Sequence, residues 1–302
     1  MIDLQKLYYF VGIVDSDLKL SKASKHLNIS QPSLSMTIDY LEERFHEKLL
    51  VKEKNKFVRL TLAGEKLYKK SKDLLENANQ MVIDIEDADY LSGHLSIAIP
   101  PVTQPIVTPK VIPQFKKKYP NIDVTIYEEG AFIGRNRLLE GELDFGFLTL
   151  FLSEDEFDSF VIYDSDLVCM LRNDHPLASK NVISTKDIAA YQLIGLNETF
   201  TLYKMIDVYF NNHGSKPNYF QTTSRWDYAL EIVSNNPEYN FLTILPLPLS
   251  KIYNNDDMTY IKFFDKFKWQ VNLSYNKNKL LRPECLLFID FVKKFFNSSQ
   301  DK

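Results

Sequence analysis

The chain has only two cysteines, Cys169 and Cys285, and both stand among apolar neighbours. Such cysteines behave as small core side chains more often than as a redox pair, which is the alternative interpretation. No apolar run approaches the roughly 18 residues that a membrane span needs, and the segment MIDLQKLYYF has no secretory-signal pattern. We therefore expect a cytoplasmic protein that does not span a membrane.

The motifs of common enzyme and nucleotide-binding sites are also missing. The sequence contains no GxGxxG, GxxxxGK[ST], HExxH or GxSxG pattern. Its five histidines are scattered without the spacing of metal ligands. The adjacent acids Asp155 and Glu156 lie in a polar stretch and are interpreted as solvated surface. The sequence predicts no catalytic residue, no metal site and no cofactor.

Positive charge is concentrated near the N-terminus. Residues 1–72 hold 14 Lys and Arg against 9 Asp and Glu, whereas the whole chain of 302 residues has a net charge of -4. This asymmetry suits a protein of which only the N-terminal part binds the phosphate groups of a nucleic acid. The length is enough for two or three domains.

The segment 20–45 predicts two helices joined by a tight turn. Leu20, Ala23 and Leu27 share one face of the first helix. Ser30 is suited to cap the second helix, with Pro32 in its first turn. Apolar residues then bury one face of this helix. The residues left outside are Gln31, Ser33, Ser35, Met36 and Thr37.

A helix of this size fits the major groove of DNA, where short side chains reach base edges and phosphates. A helix pair that merely packs inside a domain is the alternative. The residues predicted to contact DNA from these helices are Ser21, Gln31, Pro32, Ser33, Ser35 and Met36.

The segment 47–61 predicts a basic β-hairpin that turns at Lys54 and Asn55. Its cations suit a neighbouring phosphate backbone, and an ordinary solvated hairpin is the alternative. Lys56 and Arg59 are the preferred DNA contacts because they lie beyond the turn, on the returning strand.

These motifs resemble the N-terminal domain of LysR-type transcriptional regulators. The resemblance is carried by SQPSLS at 30–35 and LTLAG at 60–64, and it is dense over roughly the first 65 residues. Met36 stands where the family usually carries Arg, and Lys52 also replaces a usual Arg. The resemblance implies a winged helix-turn-helix domain, an oligomer, and a two-lobed periplasmic-binding-protein-like domain that binds a small-molecule co-inducer.

Thr61 is suited to cap a long linker helix over 62–91. Positions spaced alternately by four and three form a seam on it. Because so long a helix is not stable alone, it must pair or dock, and a homodimer or dimer of dimers is expected. The seam consists of Leu67, Ser71, Leu74, Ala78, Met81, Ile85 and Ala88.

From residue 95 onward, strands alternate with helices, which indicates α/β lobes with parallel sheets. The predicted domains are 1–61 for DNA binding, 62–91 for dimerisation and 92–302 for the effector. Within the last, lobe I covers about 92–163 and 267–302, and lobe II about 164–266.

Ligands of open α/β sheets lie beyond the carboxyl ends of strands, near helix N-termini. Free N–H groups there favour an anion. Arg135 or Arg225 could supply a carboxylate clamp, although a surface charge is the favoured interpretation of each. Simple helix capping is the alternative role of each Thr. The predicted effector-binding residues are Pro101, Thr103, Gln104, Thr149, Asn197, Thr199, Thr201 and Pro246.

We therefore expect a DNA-binding transcriptional regulator whose partners are double-stranded DNA, a small-molecule effector and further copies of itself. Effector binding would alter lobe closure and the placement of the DNA-binding helices. One alternative is a cytoplasmic small-molecule-binding α/β protein whose N-terminal domain serves only assembly. Another is a DNA-binding protein without an effector, in which side chains fill the cleft.

Overall fold

The structure is a computed structural model that describes residues 2–53, 56–85, 91–149, 153, 155–253 and 255–297. The chain divides into two compact units, Met1–Gly93 with Asn276–Asp290, and His94–Tyr275 with Phe291–Lys302. A segment near the C-terminus thus belongs to the same unit as the N-terminal helices. Within the described ranges, no helix has the length and apolar character needed to cross a membrane. The domain boundaries predicted from the sequence, after residues 61 and 91, remain predictions.

The first unit begins with the helices α1 (Leu4–Asp15), α2 (Leu20–Leu27) and α3 (Gln31–Phe45). The hairpin strands β1 (Leu50–Glu53) and β2 (Lys56–Leu60) follow, and then the helix α4 (Leu62–Ile85). This order confirms the predicted winged helix-turn-helix. Its core joins the three helices to the hairpin, and the members that are fully buried include Phe10, Ile13, Ala23, Leu34 and Leu41.

Local backbone chemistry fixes the turn between α2 and α3. Asn28 ends α2 in the left-handed conformation, with φ of 52°, which asparagine tolerates better than most residues. Ser30 caps α3 by accepting a hydrogen bond from the Ser33 N–H at 3.3 Å, and Pro32 lies in the first turn. The predicted cap and the predicted position of the proline are confirmed.

Thr37 does not lie on the outer face of α3, so that prediction is wrong. The residue is fully buried, and its Oγ1 donates to the carbonyl oxygen of Ser33 at 3.0 Å. Thr37 follows Leu34 by three positions and precedes Leu41 by four, so helical geometry places it on the buried face. The bond to the preceding turn satisfies its hydroxyl there.

The hairpin β1–β2 forms the predicted wing. Its strands are antiparallel, with Leu50 opposite Leu60 and Glu53 opposite Lys56. The predicted turn at Lys54–Asn55 lies outside the described residues.

Glu42 connects α3 to the wing. Its Oε1 accepts from the N–H groups of Leu49 at 3.0 Å and Leu50 at 3.4 Å, and Lys48 Nζ lies 2.5 Å from Oε2. Burial raises the pKa of this carboxyl, but the bonds from Lys48 and the two amides hold it below its usual value. The ionised Glu42 therefore holds the start of the wing against α3.

Helix α4 begins with the predicted cap, in which the Gly64 N–H donates to Thr61 Oγ1 at 3.0 Å. The helix is described as far as Ile85, and the predicted seam position Ala88 lies outside the described residues. Several apolar side chains along α4 are exposed in the single chain. They are Leu62, Leu74, Met81, Val82 and Ile85.

The loop 277–281, which follows the last strand of the chain, is held by α4. Lys72 Nζ donates to the carbonyl oxygen of Lys277 at 3.1 Å, and Asn79 Nδ2 donates to that of Leu281 at 3.0 Å. The side chain of Leu280 closes a small apolar cluster with Val11 and Leu75.

Asp15, at the end of α1, is partly buried where α1 and α4 meet this loop. Tyr68 Oη donates to its Oδ1 at 2.6 Å and also lies 2.9 Å from the carbonyl oxygen of Asn278. The N–H of Leu280 donates to Oδ2 at 3.3 Å. Burial raises the pKa of Asp15 from 3.8 to about 6, against the hydrogen bond from Tyr68 and the positive charge of Lys72.

From Gly93 onward the chain is mixed α/β. Its strands are β3 (Gly93–Ile99), β4 (Ile122–Glu128), β5 (Phe145–Leu148), β6 (Phe157–Arg172), β7 (Val182–Ile183), β8 (Leu193–Leu196), β9 (Tyr219–Thr223), β10 (Leu242–Pro246), β11 (Met258–Phe263) and β12 (Lys268–Asn276). Its helices are α5 (Gln104–Lys118), α6 (Ala131–Leu139), α7 (Thr185–Ala189), α8 (Thr201–Asn212), α9 (Trp226–Asn235), α10 (Leu247–Ile252) and α11 (Pro283–Asn297).

The strands follow the order β4-β3-β5-β12-β6-β10-β8-β9, and β11 pairs with both β6 and β7. β3 is parallel to β5, and β8 is parallel to β9 and β10, as expected for two α/β lobes. The strands β6 and β12 are antiparallel to β10 and β5 respectively, and they join the two halves of the sheet.

Some elements differ from the sequence-based expectation. β6 runs from Phe157 to Arg172 and therefore crosses the predicted limit between the lobes at about residue 163. The short elements β7, β11, α7 and α10 were not predicted, because so few residues carry little periodicity. Cys169 and Cys285 are both buried in the core, which confirms the predicted core role, and burial raises the pKa of the Cys169 thiol.

Candidate functional site

The first two turns of α3 present the predicted DNA-reading side chains. Gln31 and Pro32 are exposed, and Ser33 and Ser35 are half-buried. Met36, one turn further along, is 67% exposed. The cap at Ser30 and the buried apolar face hold this turn in place, so the helix offers a short, firmly supported surface.

Two hydroxyls flank this turn. Ser33 Oγ lies 2.8 Å from Ser30 Oγ, so one of the two hydroxyl protons is shared within the cap. Ser21 is exposed in the first turn of α2, next to Lys22, whose Nζ lies 3.3 Å from an Asp17 carboxylate oxygen.

The wing carries the predicted cations on its second strand. Lys56 and Arg59 are both exposed on β2. Lys52, on β1, has its Nζ 4.7 Å from the ring centroid of Phe57. An aromatic face restrains the ammonium of Lys52, whereas Lys56 and Arg59 extend from the returning strand.

Thr103 and Gln104 do not offer the free N–H groups that the sequence predicted. Both N–H groups donate to the carbonyl oxygen of Pro100, at 2.8 Å and 3.0 Å. The hydroxyl of Thr103 is fully buried and has no hydrogen-bond partner among the described residues. Pro101 and Gln104 are half-buried beside it. This turn therefore closes on itself instead of opening to an anion.

The predicted residues of the second lobe are also engaged with one another. Asn197 Oδ1 accepts from the Thr199 N–H at 3.1 Å and from the Thr199 hydroxyl at 2.5 Å. A Cβ atom on Gly130, which precedes α6, would lie 3.1 Å from the Thr199 carbonyl oxygen, so the two lobes meet closely here. Pro246 is buried at the start of α10.

Thr149 and Thr201 are brought together across the cleft. Their Oγ1 atoms lie 2.6 Å apart, with Thr149 just beyond β5 and Thr201 in the first turn of α8. Both line an open cavity of about 440 Å³. Of the eight predicted effector residues, these two line it, together with Phe132, Lys204, Met205, Val208, Tyr209, Asn212, Phe267, Lys268, Gln270 and Asn272.

Two lysines supply the charge of this cavity, and sequence reasoning missed both. Lys268 Nζ lies 3.1 Å from Asp164 and 3.2 Å from Asp166, so its charge is balanced. Lys204 Nζ stands 4.1 Å from the ring centroid of Phe132. No ion pair involves Lys204 within the part of the chain that the structure describes.

The two arginines that could have supplied a clamp have other partners. Arg135 donates to Glu156 at 2.8 Å, and Arg225 pairs with Asp227. They bear out the surface alternative that the sequence left open.

Two family descriptions match the chain. "Bacterial regulatory helix-turn-helix protein, lysR family" matches residues 4–65, and "LysR substrate binding domain" matches residues 88–297. The chain belongs to the LysR family of transcriptional regulators. Members of this LysR family bind DNA and effector molecules and act as oligomers. The predicted family, fold class and function as a DNA-binding transcriptional regulator are confirmed.

This LysR-type regulator is 30% identical to the Hca operon transcriptional activator HcaR of Escherichia coli (strain K12) over 230 residues, 74% of this chain and 75% of HcaR. It is 26% identical to the uncharacterized HTH-type transcriptional regulator YwbI of Bacillus subtilis (strain 168) over 297 residues, 97% of each chain. The solved structure of full-length CbnR with its target DNA is 19% identical and has a TM-score of 0.58, covering 97% of this chain and 99% of CbnR. At that identity the structural likeness establishes the fold.

Proposed function

We propose that this LysR-type regulator reads DNA with the first two turns of α3, contacts the phosphate backbone with its wing, and responds to a small molecule bound between its lobes. The role of α3 in reading DNA is supported by one observation: Gln31 and Met36 are exposed on a helix whose other face is fully buried. A helix N-terminus that presents a carboxamide suits an adenine edge in the major groove. Met36 cannot pair with phosphate, and its thioether suits the methyl group of thymine.

The hydroxyls and cations around α3 have a positioning role in this proposal. Ser21, Ser33 and Ser35 can donate to phosphate oxygens, and Lys56 and Arg59 can neutralise phosphates along the backbone. Such contacts strengthen binding to any sequence, whereas Gln31 distinguishes one sequence from another.

Gln31→Ala separates these two contributions. We expect it to weaken binding to an operator selected from random DNA by about tenfold or more, because a good contact to a base edge contributes about 1–3 kcal/mol of discrimination. Affinity for random DNA should change little. Gel shifts at several salt concentrations measure both affinities.

Gln221→Ala is the matched control, since Gln221 is also exposed but lies on β9, outside the helix-turn-helix. Equal losses on operator and random DNA would reduce Gln31 to a general contact and refute its reading role.

We also propose that the regulator oligomerises through α4. Its seam residues Leu74, Met81 and Ile85 are 46%, 57% and 76% exposed in the single chain. Burying apolar area is favourable at about 25 cal/mol per Å², so a second α4 gives these side chains a partner. The arrangement suits DNA half-sites related by two-fold symmetry.

Met81→Glu is expected to raise the dissociation constant of the dimer at least about tenfold, because an unpaired charge would be desolvated at the seam. Sedimentation equilibrium measures the effect. Gln80→Glu adds the same charge to the neighbouring position, about 100° around the helix, and should leave the dimer intact. A Met81→Glu protein that dimerises as strongly as the Gln80→Glu protein would rule out this seam.

For the effector, the supporting observation is the cavity beside the Thr149–Thr201 pair. A ligand in it would touch both lobes, and a ligand with different affinity for the open and closed forms shifts the balance between them. We assign the protein no catalytic role, because a regulator acts through binding alone. Its work on DNA implies a cytoplasmic location.

A further inference from the structure

The cavity of about 440 Å³ beside Thr149 and Thr201 has one charge that its own surroundings leave unbalanced. Lys268 is neutralised by Asp164 and Asp166, at 3.1 Å and 3.2 Å. Lys204 has no carboxylate within ion-pairing distance among the described residues. Its Nζ rests 4.1 Å from the ring centroid of Phe132, on the opposite lobe. The free positive charge of the cavity is therefore that of Lys204.

The hydroxyl pair provides a second polar anchor. With the two Oγ1 atoms 2.6 Å apart, one threonine donates its proton to the other. The accepting threonine keeps its own O–H proton, which remains available to an acceptor atom of a ligand. Both anchors, an ammonium and a hydroxyl donor, favour the same kind of ligand group.

The rest of the lining is largely apolar. Phe132, Met205, Val208, Tyr209 and Phe267 provide aromatic and aliphatic surface. No Asp or Glu lines the cavity within the described ranges, so nothing there would compensate a cationic ligand. A volume of this size accommodates a one- or two-ring molecule.

We infer that this cavity binds a small monoanion with an apolar body, whose anionic group contacts Lys204 and the free hydroxyl of the Thr149–Thr201 pair. The inference rests on the proposed function, in which a small molecule acts between the lobes. The molecule would be an anion with an apolar body, and Lys204 would determine the specificity for the anionic group. Because Lys204 lies on α8 and Phe132 on α6, a bound anion would draw Lys204 away from the ring and bear on both lobes at once.

The test is isothermal titration of the full-length protein with 1-naphthoate, its neutral amide and the corresponding naphthylmethylammonium. We expect 1-naphthoate to bind at least about tenfold more tightly than the other two, since a hydrogen bond to a charged group typically has that effect. Lys204→Gln should remove this preference, and Lys204→Arg should retain it. Lys216→Gln removes a charge from an exposed loop of the same lobe and should behave as wild type.

Absence of 1-naphthoate binding at millimolar concentration would overturn the inference. Equal binding by acid and amide, or unchanged binding by Lys204→Gln, would do so too. Operator gel shifts without any ligand, on the same preparations, distinguish the two levels of failure. Intact sequence-specific DNA binding would confine the failure to the ligand class, whereas loss of specific binding in the wild-type protein would refute the proposed function itself.

Discussion

Gly64→Ala is expected to destabilise the DNA-binding unit by about 3 kcal/mol or more and to abolish operator binding. A Cβ atom at this position would lie 2.1 Å from the carbonyl oxygen of Leu49. That oxygen cannot move freely, because it accepts the N–H of Thr61 at 2.9 Å. Relief would require the first turn of α4 to shift away from the wing. Such a cost is a large fraction of the roughly 5–15 kcal/mol that stabilises a typical domain.

Urea denaturation followed by circular dichroism measures this change, and gel shifts report the loss of DNA binding. Gly12→Ala is the matched control in the same unit, since its Cβ would approach the flexible side chain of Leu27, with the terminal methyl groups at 2.8 Å and 2.9 Å and Cγ at 3.2 Å, and no backbone atom comes closer than these. Those methyl groups can rotate away, and alanine is favoured over glycine within a helix by about 1 kcal/mol. If both variants unfold at similar urea concentrations, the close approach at Gly64 is not the cause.

Asp15→Asn is expected to change how the free energy of unfolding depends on pH. The folded protein holds the pKa of Asp15 at about 6, above its ordinary value of 3.8. Between these two values the folded state binds more protons than the unfolded state, so stability from this group falls as pH rises. The full effect is about 3 kcal/mol, of which about 1 kcal/mol falls between pH 5 and 7. Asparagine does not titrate, so the variant lacks this loss.

The measurement is urea denaturation of both proteins at several pH values from 5 to 8. The stability of wild type relative to Asp15→Asn should fall by about 1 kcal/mol between pH 5 and 7. Asp17→Asn removes an exposed carboxylate two positions away and controls for the lost charge. A constant difference between wild type and Asp15→Asn would contradict the burial of an acid whose charged form the fold disfavours.

The helix-turn-helix could be predicted from sequence because its signals are local. A cap at Ser30, a proline at Pro32 and apolar residues at helical spacing each act within one turn, and the structure contains all of them. The prediction that Thr37 is exposed was wrong because it gave the polarity of the side chain more weight than its position on the helix. A buried threonine can donate its hydroxyl proton to a carbonyl oxygen of its own helix, as Thr37 does.

The effector cleft could be predicted only in part. Thr149 follows a strand and Thr201 begins a helix. Both positions can be recognised from the local sequence, and ligands of open α/β sheets lie near such positions. Lys204 gives no such signal, because a lysine on a helix ordinarily belongs to the surface. Only the placement of Phe132 and the pairing of Lys268 elsewhere identify it as the free charge of the cavity.

The attachment of the loop 277–281 bears on how this regulator could be recombined with its relatives. An isolated N-terminal fragment ending at residue 93 would leave Asp15 and Leu75 without the chain that covers them. A chimera that joins these helices to a foreign effector domain would face the same defect, unless it also carried residues 276–290. The recognition and sensing parts are therefore not freely exchangeable modules, and their exchange should require changes at both ends of the chain.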